Sequence, residues 1–495
     1  MNTIKPTDAY KSFLHFINLI ESDNPTYTID FLKKESSFSV DAKFKIVDNG
    51  DYELSFSTKE VIPPQTFHNF LTIIQSELYN IVFENIYNQQ VQIKISNSES
   101  SVEYRITTKS FRSTIEDTLD DTYFCSFFKY DHNVFNPDKT CILGFSHKPI
   151  EIKIEECELI IFWGDKTATD GTTKDERYLM FFSKNKTKQT TFNRLVDAIR
   201  VTWGLISGYY IGKNVYYLSC KPELGLSELN FSYNNLQEEI ITYRGMLDSK
   251  LYDNIPEDET HLTIVEFERL VTLFYNNDSF HRAGLFLIHA SKDVGLSKGG
   301  MAAVALETIT GEIERNVNAK KRGDTNEFKL PEALNKELEN VITRFKEANK
   351  ITDKQQQHYL KKLENFSTPF NSDKLSNPFR LLKITLSKTE KGIIENRNKI
   401  LHGSLPKKGR GLEFVANLND DELVFYVSNK LIMLCTMLLF RMADKNIDKR
   451  INDWGVTIIV KKHLIEKGKY IGNGGIKHRM ISEMNPMEDS PEWLA

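Results

Sequence analysis

The sequence predicts an α+β protein in which a mainly antiparallel β domain precedes an all-helical domain. The first observation is that hydrophobic residues alternate with a period of two in several segments before residue 225. The second is a change to a helical period from about residue 260 onward. The third is length, because 495 residues exceed what one hydrophobic core usually organises. The predicted parts are a β-rich domain, a linker, a helical domain and a small basic C-terminal appendage, over residues 1–225, 226–260, 261–445 and 446–495 respectively.

The β-rich half contains a clear hairpin signal. Apolar and polar residues alternate from Val40 to Ile46, Asn49 and Gly50 provide a tight turn, and alternation resumes at Tyr52. The same period recurs in 91–95, 102–106 and 150–154. The apolar run 159–163 is typical of a strand buried on both faces. One helix interrupts the strands, with an apolar face made of Phe192, Leu195, Ile199 and Trp203. These patterns predict an antiparallel sheet or sandwich.

The helical half is predicted to contain several amphipathic helices and one that is apolar nearly all round. Helical spacing of apolar residues opens at Ile264 and continues through 280–290 and 301–315. Charged helices follow over 331–365, and another is predicted over 376–388. The last long helix, 420–443, is apolar on most of its circumference in its second half. Such a helix must be central or lie at an interface.

Charge and cysteine usage restrict the function classes. A net charge of -4 argues against a protein that coats nucleic acid nonspecifically, so any RNA contact must be local. The 5 cysteines show no CxxC pairing, and we expect free thiols in a reducing cytoplasm with no metal site and no cofactor. No secretory signal is visible, and the most hydrophobic stretch, 431–440, is shorter than the about 20 residues that span a bilayer. We therefore expect a cytoplasmic protein without membrane association.

The most informative segment is 396–403, which reads Asn-Arg-Asn-Lys-Ile-Leu-His-Gly and closes a predicted helix. Gly403 is a helix stop signal, and Pro406 follows it. Arg397 falls within the apolar stripe of this helix. A guanidinium on a buried face is costly without a partner, so this position indicates a pocket or interface where an anion is expected.

The geometry of this helix separates its two most reactive side chains. Asn398 and His402 are four residues apart and can touch directly. Arg397 and His402 would point roughly 140° apart on a regular helix, so they meet only if the chain turns at His402 or across a dimer interface. A purely structural interpretation also fits the pattern. In it, His402 and Lys399 complement the helix dipole while Arg397 extends its charge to solvent.

A basic loop follows the motif. It contains Lys407, Lys408 and Arg410, and no acidic residue lies between Arg397 and Arg410. Such a cluster raises the local affinity for phosphate in a salt-dependent way, and we assign these three residues as candidates for substrate binding. A solvated loop without a function is equally consistent with the pattern.

In this context, the segment 393–403 has four residues between Arg397 and His402, the first of them Asn398, and resembles the Arg-x4-6-His motif of HEPN domains. It is most similar to the Apea-like branch of that superfamily. The resemblance covers about residues 260–445, and more loosely the β-rich half as a sensor domain. It implies a metal-independent endoribonuclease in which the 2′-hydroxyl of RNA attacks the adjacent phosphorus and a 2′,3′-cyclic phosphate forms. His402 would act as general base or acid, Arg397 would bind the scissile phosphate, and Asn398 would fix the phosphate or the histidine.

The resemblance also implies supporting residues and partners. Glu307 lies where similar HEPN domains often carry an acid and would hold Arg397 in orientation, although an ordinary exposed glutamate is the alternative; Lys399 is a second supporting candidate. The expected partners are RNA, with tRNA a frequent target, and a second copy of the chain in a homodimer or higher even oligomer. The expected setting is anti-phage defence by abortive infection, with a phage-derived trigger acting on the N-terminal domain. Competing interpretations are a non-catalytic HEPN-like module that binds RNA or protein, and a plain scaffold.

Overall fold

A computed structural model of the chain divides into two compact units, Met1–Asn276 and Asn277–Ala495. The structure describes residues 26–33, 36–46, 51–59, 61, 71–75, 80–83, 92–97, 102–108, 110–113, 123–130, 149–166, 176–212, 214–220, 229–236, 240–241, 262–320, 332–364, 371–406, 419–443, 470–471 and 477–478. Strands dominate the first unit and helices the second, so the predicted α+β class is confirmed.

The first unit is built around an antiparallel sheet. Its strands are β1 (Thr26–Lys33), β2 (Ser36–Ile46), β3 (Tyr52–Thr58), β4 (Leu71–Gln75), β5 (Asn80–Phe83), β6 (Gln92–Asn97), β7 (Val102–Thr108), β8 (Ser110–Ser113), β9 (Tyr123–Tyr130), β10 (Ile150–Ile154), β11 (Cys157–Lys166), β12 (Glu176–Ser183), β14 (Asn214–Cys220) and β15 (Leu229–Asn235). Their order is β10-β11-β12-β9-β14-β15-β8-β5-β4-β1-β2-β3-β7-β6. A separate pair joins β13 (Tyr209–Tyr210) to β16 (Ile240–Ile241).

The alternating patterns are confirmed where the structure describes them. β2 and β3 pair from Ile46↔Tyr52 to Ala42↔Phe56, as the hairpin signal predicts, while the turn residues Asn49 and Gly50 lie outside the described ranges. In β10, buried isoleucines alternate with exposed Glu151 and Lys153. The run predicted to be buried on both faces is buried over 159–161 and half-buried at its last two residues.

Tyrosines show that the sheet folds back on itself. β3 is far from β14 in the strand order, yet the Tyr52 and Tyr216 hydroxyls lie 2.7 Å apart in a buried hydrogen bond. The ring of Tyr233 packs edge-on to that of Tyr52 with centroids 4.7 Å apart. Asn235 Nδ2 also donates to Asp51 Oδ1 at 2.7 Å. The result is a curved, sandwich-like core filled by aromatic side chains.

Two helices lie among the described residues of this unit. The buried residues of α1 (Gln189–Ser207) include the predicted apolar face. α2 (Ile264–Asn276) packs on α1, with the rings of Trp203 and Phe267 at 6.2 Å. The division after Asn276 is therefore later than the boundary expected at residue 261, because the period of α2 predicts a helix but not the helix against which it packs. β15 lies inside the segment expected to be a linker and pairs with β14.

The second unit is a helical bundle with a long central helix. Its helices are α3 (Asp278–Lys292), α4 (Gly295–Lys320), α5 (Glu332–Glu347), α6 (Asp353–Glu364), α7 (Asn371–Leu381), α8 (Lys388–Leu401) and α9 (Asp420–Met442). α4 packs against α3, α7, α8 and α9, whereas α5 and α6 pack on each other. A short pair, β17 (Tyr470–Ile471) with β18 (Lys477–His478), lies in the predicted appendage.

The prediction of a helix over 376–388 is wrong at both ends, because α7 spans Asn371–Leu381. Two residues past the end of α7, Lys383 has a φ of 59°, and Ile384 N donates to Phe379 O at 2.8 Å. This left-handed end usually carries glycine, and a lysine gives no such signal in the sequence. The following residues lead to Ser387, which caps α8.

The apolar helix α9 is central to its unit rather than in need of an interface. All residues from 430 to 440 are buried, and α9 packs on α4 and α8. By length and composition α9 is able to cross a membrane, although the apolar stretch 431–440 was judged too short for that from the sequence. Inside the protein, 89% of its most apolar window is buried. Its apolar circumference is thus satisfied within the bundle.

Close packing of α4 against α8 and α9 depends on Gly299. A Cβ at this position would lie 2.7 Å from Ile400 Cγ2 and 2.7 Å from Ser428 Oγ, both on buried side chains. Gly300, the next residue, would meet nothing within 4 Å. Gly299 is therefore in close contact with neighbouring helices, whereas Gly300, in the same helix, has space for a side chain.

We expect Gly299→Ala to lower the thermal midpoint of the protein, because overpacking costs about 1–3 kcal/mol. That cost exceeds the about 1 kcal/mol that alanine gains over glycine in a helix. Gly300→Ala is the matched control and should leave the midpoint unchanged or raise it. Calorimetry of both variants checks this, and equal shifts for the two would contradict the packing argument.

Candidate active site

The ends of α8 place the motif. At its start, Ser387 Oγ accepts a hydrogen bond from Glu390 N at 3.2 Å, and Glu390 Oε2 accepts one from Ser387 N at 2.8 Å. At its end, Gly403 has a φ of 68°, and Ser404 N donates to Lys399 O at 2.8 Å. This is a Schellman ending, so the predicted stop at Gly403 is confirmed. His402 is the C-cap residue, the first position past the helix.

His402 and Asn398 lie on the solvent side of this ending, and both are exposed. The backbone N–H of His402 donates to the carbonyl oxygen of Asn398 at 3.1 Å. Among the described residues, no hydrogen bond joins their side chains, so the i,i+4 spacing makes them neighbours without linking them. The imidazole is consequently accessible to a large substrate.

Arg397 lies on the opposite side of α8, with its side chain only 4% exposed, as its place in the apolar stripe predicts. Its Nε lies 3.1 Å from Glu307 Oε1, and its Nη1 donates to Ile394 O at 3.5 Å. The N–H at Nε is not aligned with the carboxylate, so the contact is an ion pair rather than a directed hydrogen bond. Burial lowers the pKa of the Arg397 guanidinium below its ordinary value, and Glu307 opposes that change.

Glu307 comes from the middle of α4, between the buried residues Leu306 and Ile309. Its own side chain is 43% exposed, so the carboxylate bridges a buried cation and solvent. The contact that the resemblance implies between Glu307 and Arg397 is therefore present. This contact ties α8 to α4 one turn before His402.

The structure brings together only some of the residues assigned from the sequence. Arg397 and Glu307 form a pair, whereas His402 projects from the other side of the helix end, and no hydrogen bond joins it to Arg397 within the described ranges. Lys399, which lies between Arg397 and His402 in the sequence, is half-buried. The three basic residues of the following loop, Lys407, Lys408 and Arg410, lie outside the described residues.

Three residues that build this arrangement were not predicted from the sequence. Ser387 and Glu390 form a capping box at the start of α8, and the Ser-x-x-Glu spacing was available as a signal. Gly299 allows α4 to approach Ile400, two residues before His402. No local pattern announces a close approach of this kind, because it depends on a distant part of the chain.

Cysteine and metal-binding side chains are not part of this arrangement. Cys125, Cys157 and Cys435 are buried free thiols, and burial raises the pKa of Cys435. Within the described part of the chain, no group of three or more His, Cys, Asp or Glu side chains is placed to hold a metal ion.

Comparisons with protein-family models, with curated proteins and with solved structures found no match to this chain. The resemblance to HEPN domains therefore rests on the residues of α8 and on their setting in a helical unit.

Proposed function

We propose that the protein is a metal-independent endoribonuclease of the HEPN type, with tRNA as the expected substrate. The observation that carries the proposal is an exposed histidine at a hydrogen-bonded helix end, one turn beyond a buried arginine that is paired with a carboxylate. Histidine is suited to acid–base catalysis near neutral pH. The biological setting that we propose is cytoplasmic abortive-infection defence against phage.

RNA supplies its own nucleophile, so the enzyme needs few groups. A base removes the proton of the 2′-hydroxyl, its oxygen bonds to phosphorus, and the bond to the 5′-oxygen breaks as an acid protonates that oxygen. In the proposal, His402 performs one of these proton transfers and Asn398 hydrogen-bonds the phosphate beside it. A second His402, from another copy of the chain, performs the other, which is why we propose a dimer.

Arg397 has a less direct path to the substrate. Its guanidinium is nearly fully buried and its Nε faces Glu307, so we propose that a phosphate displaces this carboxylate to bind it. Carboxylate and phosphate present similar oxygen pairs to an arginine, which makes such an exchange chemically reasonable. We propose that Glu307 orients Arg397 until the scissile phosphate arrives.

The burial of Arg397 also favours a second candidate function. A guanidinium that is 4% exposed and paired serves the packing of α8 on α4, as expected in a non-catalytic module that binds RNA or a partner protein. The exposed His402 favours the enzyme, because a binding module does not require an imidazole at this position. Cleavage assays separate the two candidates.

All residues of the proposed site lie in the second unit. We propose that the first unit restrains or triggers the nuclease in response to a phage-derived signal. A sensor of this kind must bind its signal more tightly in one of two states. A hundredfold shift in the equilibrium between the two states requires only about 2.7 kcal/mol of differential affinity.

We expect the purified protein to cleave tRNA in excess EDTA and to leave 2′,3′-cyclic phosphate ends. Gel analysis detects the cleavage, and adaptor ligation that requires prior end repair detects the cyclic phosphate. A magnesium-dependent nuclease in the same buffer is the control and should be inactive. Cleavage that appears only after a divalent ion is added would contradict the mechanism. Binding of tRNA without cleavage in either buffer would favour the non-catalytic module.

A further inference from the structure

Helix α5 carries apolar side chains that the other described residues of its unit leave exposed. None of its residues is buried, although it packs on α6 and its last turn is tied to α6 by an ion pair between Lys346 and Asp353 at 2.7 Å. Leu334, Val341 and Phe345 remain 43%, 38% and 48% exposed. We call these three residues the α5 stripe.

The α5 stripe is one continuous surface. At about 100° per residue, Leu334 and Phe345 lie within about 40° of Val341 around the helix. Leu338 and Ile342 are half-buried and lie further round the helix. The apolar face of α5 is therefore wider than its contact with α6 covers. An apolar stripe on a surface helix ordinarily faces a packing partner.

Two opposite charges border the same edge of this stripe. Glu337 lies about 40° and Arg344 about 60° to one side of Val341, one turn before it and almost one turn after it. Both side chains are exposed. Neither has an ionic or hydrogen-bond partner in the described part of the chain. An acid and a base thus stand at nearly equal distances on either side of Val341.

We propose that a second copy of this chain packs on the α5 stripe in the antiparallel direction, with a twofold axis near Val341. A twofold axis makes every contact occur twice, so Glu337 of each copy comes level with Arg344 of the other. Parallel packing about a twofold axis would instead place the charges of the two copies on opposite edges of the seam, where no acid faces a base. Charges that flank an apolar seam set the direction of pairing in this way.

The α5 stripe offers a surface for contact between two copies. The helix α9 offers none, because it is covered within its own unit. Two α5–α6 hairpins joined in this way form an antiparallel four-helix arrangement. Tyr359 of α6 is 41% exposed and adds an apolar side chain to the hairpin surface. The inference does not depend on the cleavage chemistry, because it is argued from exposed side chains of α5 and α6.

Charge exchange tests the proposal in the full chain. Glu337→Arg or Arg344→Glu alone turns two attractions into two repulsions and should raise the dimer Kd about tenfold or more. The double variant Glu337→Arg with Arg344→Glu restores both pairs and should return the Kd to near the wild-type value. Lys336→Glu, on the opposite face of α5, is the control and should leave it unchanged. Sedimentation velocity over a concentration series measures each Kd.

Phe345→Asp places a charge inside the seam and should give a monomer. Circular dichroism verifies that each variant is folded. A wild-type protein that is monomeric at every concentration overturns the proposal, as does a dimer that tolerates Phe345→Asp. A double variant weaker than either single variant also overturns it. The Kd series tests the interface, and tRNA cleavage by wild type beside His402→Ala tests the nuclease, so the failure of one is distinguishable from the failure of the other even though a monomeric variant is also expected to lose cleavage.

Discussion

His402→Ala is expected to abolish RNA cleavage while leaving the protein folded. Loss of a general acid or base costs about 100- to 10,000-fold in rate. His402 is exposed, and its side chain makes no hydrogen bond to the described residues. Its structural contribution comes from the backbone, since the helix ending is made by the N–H groups of His402, Gly403 and Ser404. Alanine keeps those groups.

Single-turnover cleavage of tRNA measures the effect. His289→Ala is the matched control, because His289 is also an exposed histidine in the last turn of a helix, α3. It should cleave at the wild-type rate. A His402→Ala protein that cleaves at that rate would remove the proposed catalytic residue. An equal loss in both variants would indicate a structural effect of the substitutions.

The elements predicted correctly from the sequence are those whose signal is local. The hairpin of β2 and β3 follows from alternation over adjacent residues, and the end of α8 follows from Gly403. The length of α9 follows from its apolar spacing. In each case the residues that carry the pattern are also the residues that make the contacts.

The elements that were missed depend on contacts between distant segments. The helical period of α2 does not reveal that α2 packs on α1, and the left-handed residue just past α7, Lys383, is not a glycine. For the site, the burial of Arg397 was predicted from its place in the stripe. The contact between Glu307 and Arg397 was expected from the resemblance and not from the spacing of Arg397 and His402, because the carboxylate comes from a separate helix.

The ion pair between Arg397 and Glu307 gives the second large prediction. Glu307→Gln leaves a buried guanidinium unpaired, and removal of one partner from a fully buried pair costs about 3–5 kcal/mol. Glu307 is 43% exposed, so solvent screens part of the loss and we expect about 1–2 kcal/mol. Arg397→Met keeps much of the side-chain volume and leaves an exposed carboxylate, so it should destabilise the protein less.

The double variant Arg397→Met with Glu307→Gln separates a structural role of Arg397 from a catalytic one. It contains neither buried charge nor lone carboxylate, so its thermal midpoint should lie above that of Glu307→Gln. If Arg397 binds the scissile phosphate, cleavage of tRNA by the double variant should still fall about 100-fold, the cost of losing one donor to a developing charge. Calorimetry and single-turnover cleavage on the same preparations provide both readouts. A double variant that is stable and cleaves at the wild-type rate would show that the pair only packs α8 on α4, and the phosphate-binding role of Arg397 would be wrong.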